Sequence, residues 1–169
     1  MQQKVSFESS GLRLSGVMHF PKNYAAGDRL PAIIVMHGFG SNKDAGNVTE
    51  PATLFTSWGY IAFRFDMRGC GESEGEFGRI LCLDQVEDAR NAIAYLAKRP
   101  EVLPDRIALS GTSFGAAVAI YAGGVDARAA AVISTGGWGN GERKFRGQHA
   151  TPEAWARFTR MLEEGRAHR

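Results

Sequence analysis

Arg106-Ile107-Ala108-Leu109-Ser110 runs directly into Gly111-Thr112-Ser113-Phe114-Gly115, and then into the small-residue stretch Ala116 to Ala122. The first run predicts a strand and the last a helix. Gly-x-Ser-x-Gly therefore falls at a strand-to-helix turn, the pattern of a nucleophile elbow. A turn this tight leaves no room for side chains on either side of a strained serine, which accounts for glycine at 111 and 115. The head of the following helix brings partial positive charge to the Ser113 hydroxyl, where an oxyanion would form. Gly123-Gly124 reads as the stop of that helix, and Ala129 to Ser134 as a further strand buried on both faces.

Upstream, Ala32-Ile33-Ile34-Val35-Met36 is apolar at every position, as a strand inside a parallel sheet must be, and it ends in His37-Gly38-Phe39-Gly40. The next strand, Tyr60 to Phe65, ends in Asp66-Met67-Arg68-Gly69-Cys70-Gly71-Glu72-Ser73. A helix over roughly 48–58, irregular at Pro51, lies between them. Leu81 to Lys98 predicts an amphipathic helix with Val86, Ala89, Ile93, Leu96 and Ala97 on one face. At the N-terminus, Val5–Ser9 and Leu12–Phe20 alternate with period two about Ser10-Gly11, which is a hairpin. Beyond 135 a glycine-rich loop is expected, with Arg143, Lys144 and Arg146 solvated on it. A last helix runs from Pro152 to Glu164, with Thr151 as N-cap. Its Trp155, Phe158, Met161 and Leu162 stripe either packs the helix down or covers a site. Strands alternating with helices after an antiparallel start give an α/β fold with a mainly parallel sheet, divided into segments 1–135 and 136–169.

Composition narrows the function. Twenty basic residues against 18 acidic ones give a net charge of +2, too balanced for a nucleic-acid or anionic-membrane ligand. The two cysteines, Cys70 and Cys82, lack Cys-x-x-Cys spacing, so no disulfide or metal framework is expected and a reducing compartment fits. No apolar signal core follows Met1, and no run reaches the ~20 apolar residues of a membrane span, so a cytoplasmic location is expected. Gly69-x-Gly71 lacks the third glycine of a dinucleotide fingerprint, and no Walker lysine occurs.

Three motifs in one order carry a resemblance: His37-Gly38-Phe39-Gly40, Asp66 to Ser73, and Gly111 to Gly115. Over about residues 5–135 the chain resembles the α/β-hydrolase superfamily. The run from His37 to Lys43, with Gly75-Glu76-Phe77 later, looks most like cinnamoyl or feruloyl esterase-type and dienelactone hydrolase-like members, and prolyl-dipeptidyl-peptidase-like hydrolases are similar too. The resemblance implies Ser113 as nucleophile, forming an acyl-enzyme. It implies an oxyanion hole from the backbone N–H groups of Phe114 and of Phe39, with Gly38, Gly111 and Gly115 as motif glycines. The Phe39 and Phe114 rings would wall an acyl pocket or sit as core aromatics. His37 is expected to scaffold its loop, and Asp66 with Arg68 to form a loop-fixing ion pair. No metal and no cofactor are implied.

In this architecture the triad acid and histidine follow the serine. After Ser113 stand one aspartate, Asp126, and two histidines, His149 and His168, none after a convincing later strand. Asp126 lies in a helix-to-strand connection away from the site, and both histidines lie in a segment resembling the start of a lid. The expectation is therefore an α/β-hydrolase fold truncated after its sixth strand, which leaves Ala129 to Ser134 as an exposed apolar sheet edge that invites pairing, with a small-molecule ester as substrate and with self-association or a complementing C-terminal chain as partner. Two classes of function stay open. One is a serine hydrolase of carboxylic esters, or of amides or thioesters as peptidase or thioesterase. The other is a catalytically weak hydrolase-like module or half of a split enzyme.

Overall fold

A computed structural model describes residues 1–167. They form two units, Met1–Gly137 and a second from Trp138 onward. The first unit holds six strands: β1 (Gln2–Ser9), β2 (Leu12–His19), β3 (Leu30–Met36), β4 (Ile61–Phe65), β5 (Val102–Thr112) and β6 (Ala129–Thr135). Its helices are α1 (Gly46–Ser57), α2 (Cys82–Ala97) and α3 (Phe114–Val125). The second unit holds α4 (Gly141–Gln148) and α5 (Pro152–Ala167).

The strands lie in the order β1-β2-β4-β3-β5-β6. The hairpin pairs antiparallel with itself and, through β2, with β4; β4, β3, β5 and β6 run parallel. The central strands are buried on both faces, and their side chains divide by parity. Ala32, Ile34 and Met36 of β3 join the larger core under α2 and α3, while Ile33 and Val35 pack with Val48, Ala52 and Phe55 of α1. On α2, Val86, Ala89, Ile93 and Leu96 are buried as the 3.6-residue period requires, and Ala92 joins them. Helix α1 runs unbroken past Pro51.

Two expectations change. Helix α3 does not stop at Gly123-Gly124 but continues to Val125, where Asp126 caps it through an N–H donated to Ala122 O at 2.9 Å. Gly123 serves packing instead: a Cβ there would overlap the Val132 side chain, so the bare backbone lets α3 lie close over β6. Strand β6, by contrast, is the exposed sheet edge expected of a fold truncated after its sixth strand, with Val132 and Ile133 at 40% and 41% exposure. The loop expected to hold Arg143, Lys144 and Arg146 is the helix α4, started by Asn140, whose side-chain oxygen accepts from Arg143 N at 2.8 Å. In α5, Thr151 Oγ1 accepts from Ala154 N at 3.2 Å, as the N-cap reading requires.

A polar pair is buried within the hairpin half of the sheet. His19 on β2 is 5% exposed, and Arg64 on β4 donates its Nε–H to His19 Nε2 at 2.6 Å. Burial, then the Arg64 charge, then the N-terminal amine hold the imidazole down to a pKa of about 4. A group so depressed binds its proton more readily in the unfolded chain. Stability should therefore be full above pH 6.5 and fall as pH drops from 6.5 toward 4, by up to about 3 kcal/mol. Urea denaturation from pH 7.5 to 4.5 should show this slope, and His19→Gln, which keeps an acceptor for Arg64, should flatten it.

Candidate active site

Strand β5 delivers Ser113 to the end of the sheet, and α3 starts at the next residue. Ser113 has φ +54° and ψ −116°, a left-handed conformation that among the other described non-glycine residues only Ser10 shares in the sign of φ. Such backbone costs about 1–3 kcal/mol and persists only where its surroundings over-determine it. Here they do. Side chains on Gly111 and Gly115 would overlap, respectively, the Gly115 carbonyl and the His37 carbonyl, so the ends of β5 and β3 press directly on the first turn of α3. Ser113 N–H donates to Thr135 O at the end of β6 (2.9 Å), and Ser113 O accepts from Ala116 and Ala117 N–H. The Ser113 side chain is exposed, forms no cap on α3 and makes no hydrogen bond among the described residues.

The segment after β3 forms the facing wall. A Cβ on Gly38 would stand 3.4 Å from Ser113 Cβ and 3.9 Å from Ser113 Oγ, so the backbone leading into Phe39 passes directly beside the hydroxyl. The Phe39 ring is 67% exposed and meets the Phe114 ring edge-on, centroids 5.7 Å apart. Phe114 is half-buried against the core under α3, whereas Phe39 stands over the surface beside Ser113.

Two anchors hold this segment. The first is His37, fully buried, whose Nε2 accepts from Met67 N–H at 3.2 Å and whose Nδ1 lies 2.9 Å from Gly38 O. With Nε2 accepting, the ring proton sits on Nδ1 and is donated to that carbonyl. Burial pushes the imidazole pKa down, against the Gly38 hydrogen bond and the Asp66 charge, so the ring is neutral. His37 is thus part of the scaffold.

The second anchor corrects the expected Asp66–Arg68 pair. Asp66, fully buried, accepts from Lys43 N–H at 2.6 Å, from Lys43 Nζ at 2.9 Å and from Glu72 N–H at 2.9 Å. Lys43 Nζ also donates to Glu72 at 2.7 Å. Burial works against the Lys43 charge, but the hydrogen bonds to Glu72 and Asp66 outweigh it and raise its pKa. Arg68 turns the other way, to Asp88 on α2 at 2.7 Å. Sequence assigns Lys43 no role of its own, since its carboxylate partners lie 23 and 29 residues further along the chain. The two anchors tie His37 and Lys43 to Met67 and Asp66, and the span between them carries Phe39.

Of the remaining candidates, Asp126 does not assemble with Ser113. Asp126 caps the far end of α3, roughly 18 Å away along twelve helical residues. Arg128, outweighing burial, holds its pKa at about 2. His149 belongs to the second unit, where it stacks on Phe158 at 4.5 Å and lies 2.9 Å from Phe145 O through Nδ1. Trp155 packs on Phe158 as well, while Met161 and Leu162 stay exposed. His168 lies outside the described residues. Among the described residues no cluster of three or more His, Cys, Asp or Glu side chains could hold a metal ion, and no helix is long and apolar enough to cross a membrane.

Comparison with known proteins agrees with this fold. A family model described as serine aminopeptidase, S33, matches residues 28–164. The polyketide transferase ATR5 of Stachybotrys chlorohalonatus is 35% identical over 136 residues, which are 79% of this chain and 44% of that protein. The crystal structure of the hypothetical protein PA2218 from Pseudomonas aeruginosa superposes with a TM-score of 0.84 at 28% identity, covering 99% of this chain and 53% of that one. The α/β hydrolase GrgF from Penicillium sp. sh18 gives a TM-score of 0.75 at 30% identity, covering 96% and 56%. The chain thus spans about half the length of these relatives. With the sheet order, the strand-to-helix turn at Ser113 and the matched span taken together, it belongs to the α/β-hydrolase superfamily, in the family described as serine aminopeptidase, S33.

Proposed function

We propose that Ser113 is the nucleophile of a serine hydrolase acting on carboxylic esters. The observation that carries this reading is a serine held at φ +54°, exposed, with its side chain given no structural task. Such strain at a helix head is the arrangement that presents a hydroxyl to substrate. In the reaction, Ser113 Oγ bonds to the acyl carbon as its proton passes to a base. The tetrahedral oxyanion is stabilised by the backbone N–H groups of Phe39 and Phe114 and by the α3 N-terminus. Collapse expels the alcohol, protonated by the same base, and leaves an acyl-enzyme that water then cleaves.

The base and its carboxylate come, on this proposal, from outside Met1–Gly137. Of the histidines in that unit, His19 is committed to Arg64 and His37 to Met67 and Gly38. A complementing segment, contiguous or from another chain, would pair along the exposed edge of β6, whose Val132 and Ile133 favour burial. Without it, the chain behaves as a catalytically weak module in which the oxyanion hole alone leaves residual rate. Acyl transfer to an acceptor other than water is a second reading, favoured by the likeness to a polyketide transferase.

Incubation with p-nitrophenyl butyrate, acid quench and peptide mapping tests the proposal. A butyryl adduct on Ser113 is expected, and partition of that adduct between water and added alcohols separates hydrolysis from transfer. Butyrylation of other residues with Ser113 unmodified would reject it.

A further inference from the structure

The segment carrying Phe39 has a second side, facing a cleft of about 390 Å³. Phe39, Ser41 and Asn42 line it from one direction, and Cys70, Phe77 and Ile80, on the connection between β4 and α2, line it from the other. Its size lies within the range of small-molecule sites, ~300–1,000 Å³. Its wall is mostly apolar, yet two of its aromatic rings face water, Phe39 at 67% and Phe77 at 86% exposure. Phe77 is not on a loose loop. Gly69 N–H donates to Glu74 O at 3.1 Å and Gly78 N–H to Gly69 O at 3.0 Å, so residues 69–78 close on themselves and hold Phe77 out. A surface this apolar beside a reactive-site candidate marks a binding site rather than chance exposure.

Position supplies the occupant. Gly38 abuts Ser113, and Phe39, the next residue, is both the proposed oxyanion donor and a wall of the cleft. A carbonyl held by the Phe39 N–H therefore sits beside a residue that the cleft shares, and a substituent that runs past the Phe39 ring enters the cleft. The lining presents no charged group to neutralise a carboxylate or ammonium. We infer that the cleft is the subsite for an unbranched, medium-length aliphatic group of the substrate, so that the ester is a medium-chain one. This deepens the ester-hydrolase reading and rests on it.

Two series of unreactive analogues decide the matter: N-methyl alkanamides, whose chain is on the acyl side, and N-alkyl acetamides, whose chain takes the place of the alcohol. Both are titrated from four to eight carbons into ¹⁵N-labelled protein, in the parent, Ser113→Ala and Phe77→Ala. In one series, the backbone signals of Gly40, Gly69, Gly71 and Gly78 should shift, with affinity rising about three- to fourfold per methylene. Which series responds tells which side of the ester enters. Phe77→Ala should weaken the eight-carbon member about tenfold, and Ser113→Ala should leave it unchanged. Shifts without chain-length dependence, or affinity indifferent to Phe77→Ala, would overturn the cleft while Ser113 acylation stands. Failure of Ser113 acylation with chain-dependent binding intact would remove the nucleophile and keep the cleft as an apolar-ligand site.

Discussion

Ser113→Ala is expected to abolish covalent labelling by a fluorophosphonate while leaving the unfolding midpoint within experimental error of the parent. The two halves test different things. Were Ser113 an ordinary helix cap, its hydroxyl would satisfy a backbone N–H of the first turn of α3, and alanine would cost about 1 kcal/mol. The hydroxyl makes no such bond, so its removal should cost almost nothing. Ser113→Gly goes further. Alanine keeps the strain of φ +54°, whereas glycine adopts that conformation readily. Relief of strain is partly offset by the entropy glycine gains in the unfolded chain, which leaves the glycine variant more stable than the alanine variant by about 1 kcal/mol. An inactive but more stable variant is the mark of a residue held in a costly conformation for chemistry. Labelling that persists in Ser113→Ala, or a loss of about 1 kcal/mol in that variant, would return Ser113 to the role of a helix cap.

How much was legible in the sequence differs by feature, and for physical reasons. The elbow was legible because its glycines answer to contacts within a few residues or with the neighbouring strand end. The parallel core was legible because a strand buried on both faces must be apolar, as β3 is throughout and β4 is except at Arg64, which His19 partners. Taken alone, the same logic reads β6 as buried, since apolar composition records what a strand is suited to pack against; its bare place at the sheet edge was legible instead from the truncation after the sixth strand. Gly123-Gly124 misled because glycine serves close packing as well as helix termination, and only the position of Val132 tells them apart. Asp66 was paired with Arg68 because the two are near in sequence. Their real partners, Lys43 and Asp88, are 23 and 20 residues away and come together only when β3, β4 and α2 are in place.

That long-range pairing leads to the other large effect, at Lys43. Lys43→Met should destabilise the protein by about 3–5 kcal/mol, because it leaves the Asp66 carboxylate fully buried and without its counter-ion. Adding Asp66→Asn should recover most of that loss. The amide oxygen can still accept from the residue 43 N–H now bonded at 2.6 Å, and no buried charge remains. Reactivity should not recover in parallel. In the parent, Lys43 Nζ draws Asp66 and Glu72 together and its carbonyl accepts from Arg64 at 2.8 Å, which fixes the segment bearing Phe39 at one end while His37 fixes the other. The double variant keeps the backbone bond but loses the ammonium bridge, so the Phe39 N–H, the proposed oxyanion donor, is held less firmly. Loss of a whole oxyanion donor costs about 3–4 kcal/mol of transition-state stabilisation. A loosened one should slow phosphonylation of Ser113 by about tenfold at unchanged affinity for unreactive analogues. Labelling restored to the parent rate in the double variant would limit Lys43 to holding the fold. Slow labelling in a protein of restored stability would assign it the placement of the oxyanion donor, a task separable from stability because the cycle varies the buried charge and the bridge independently.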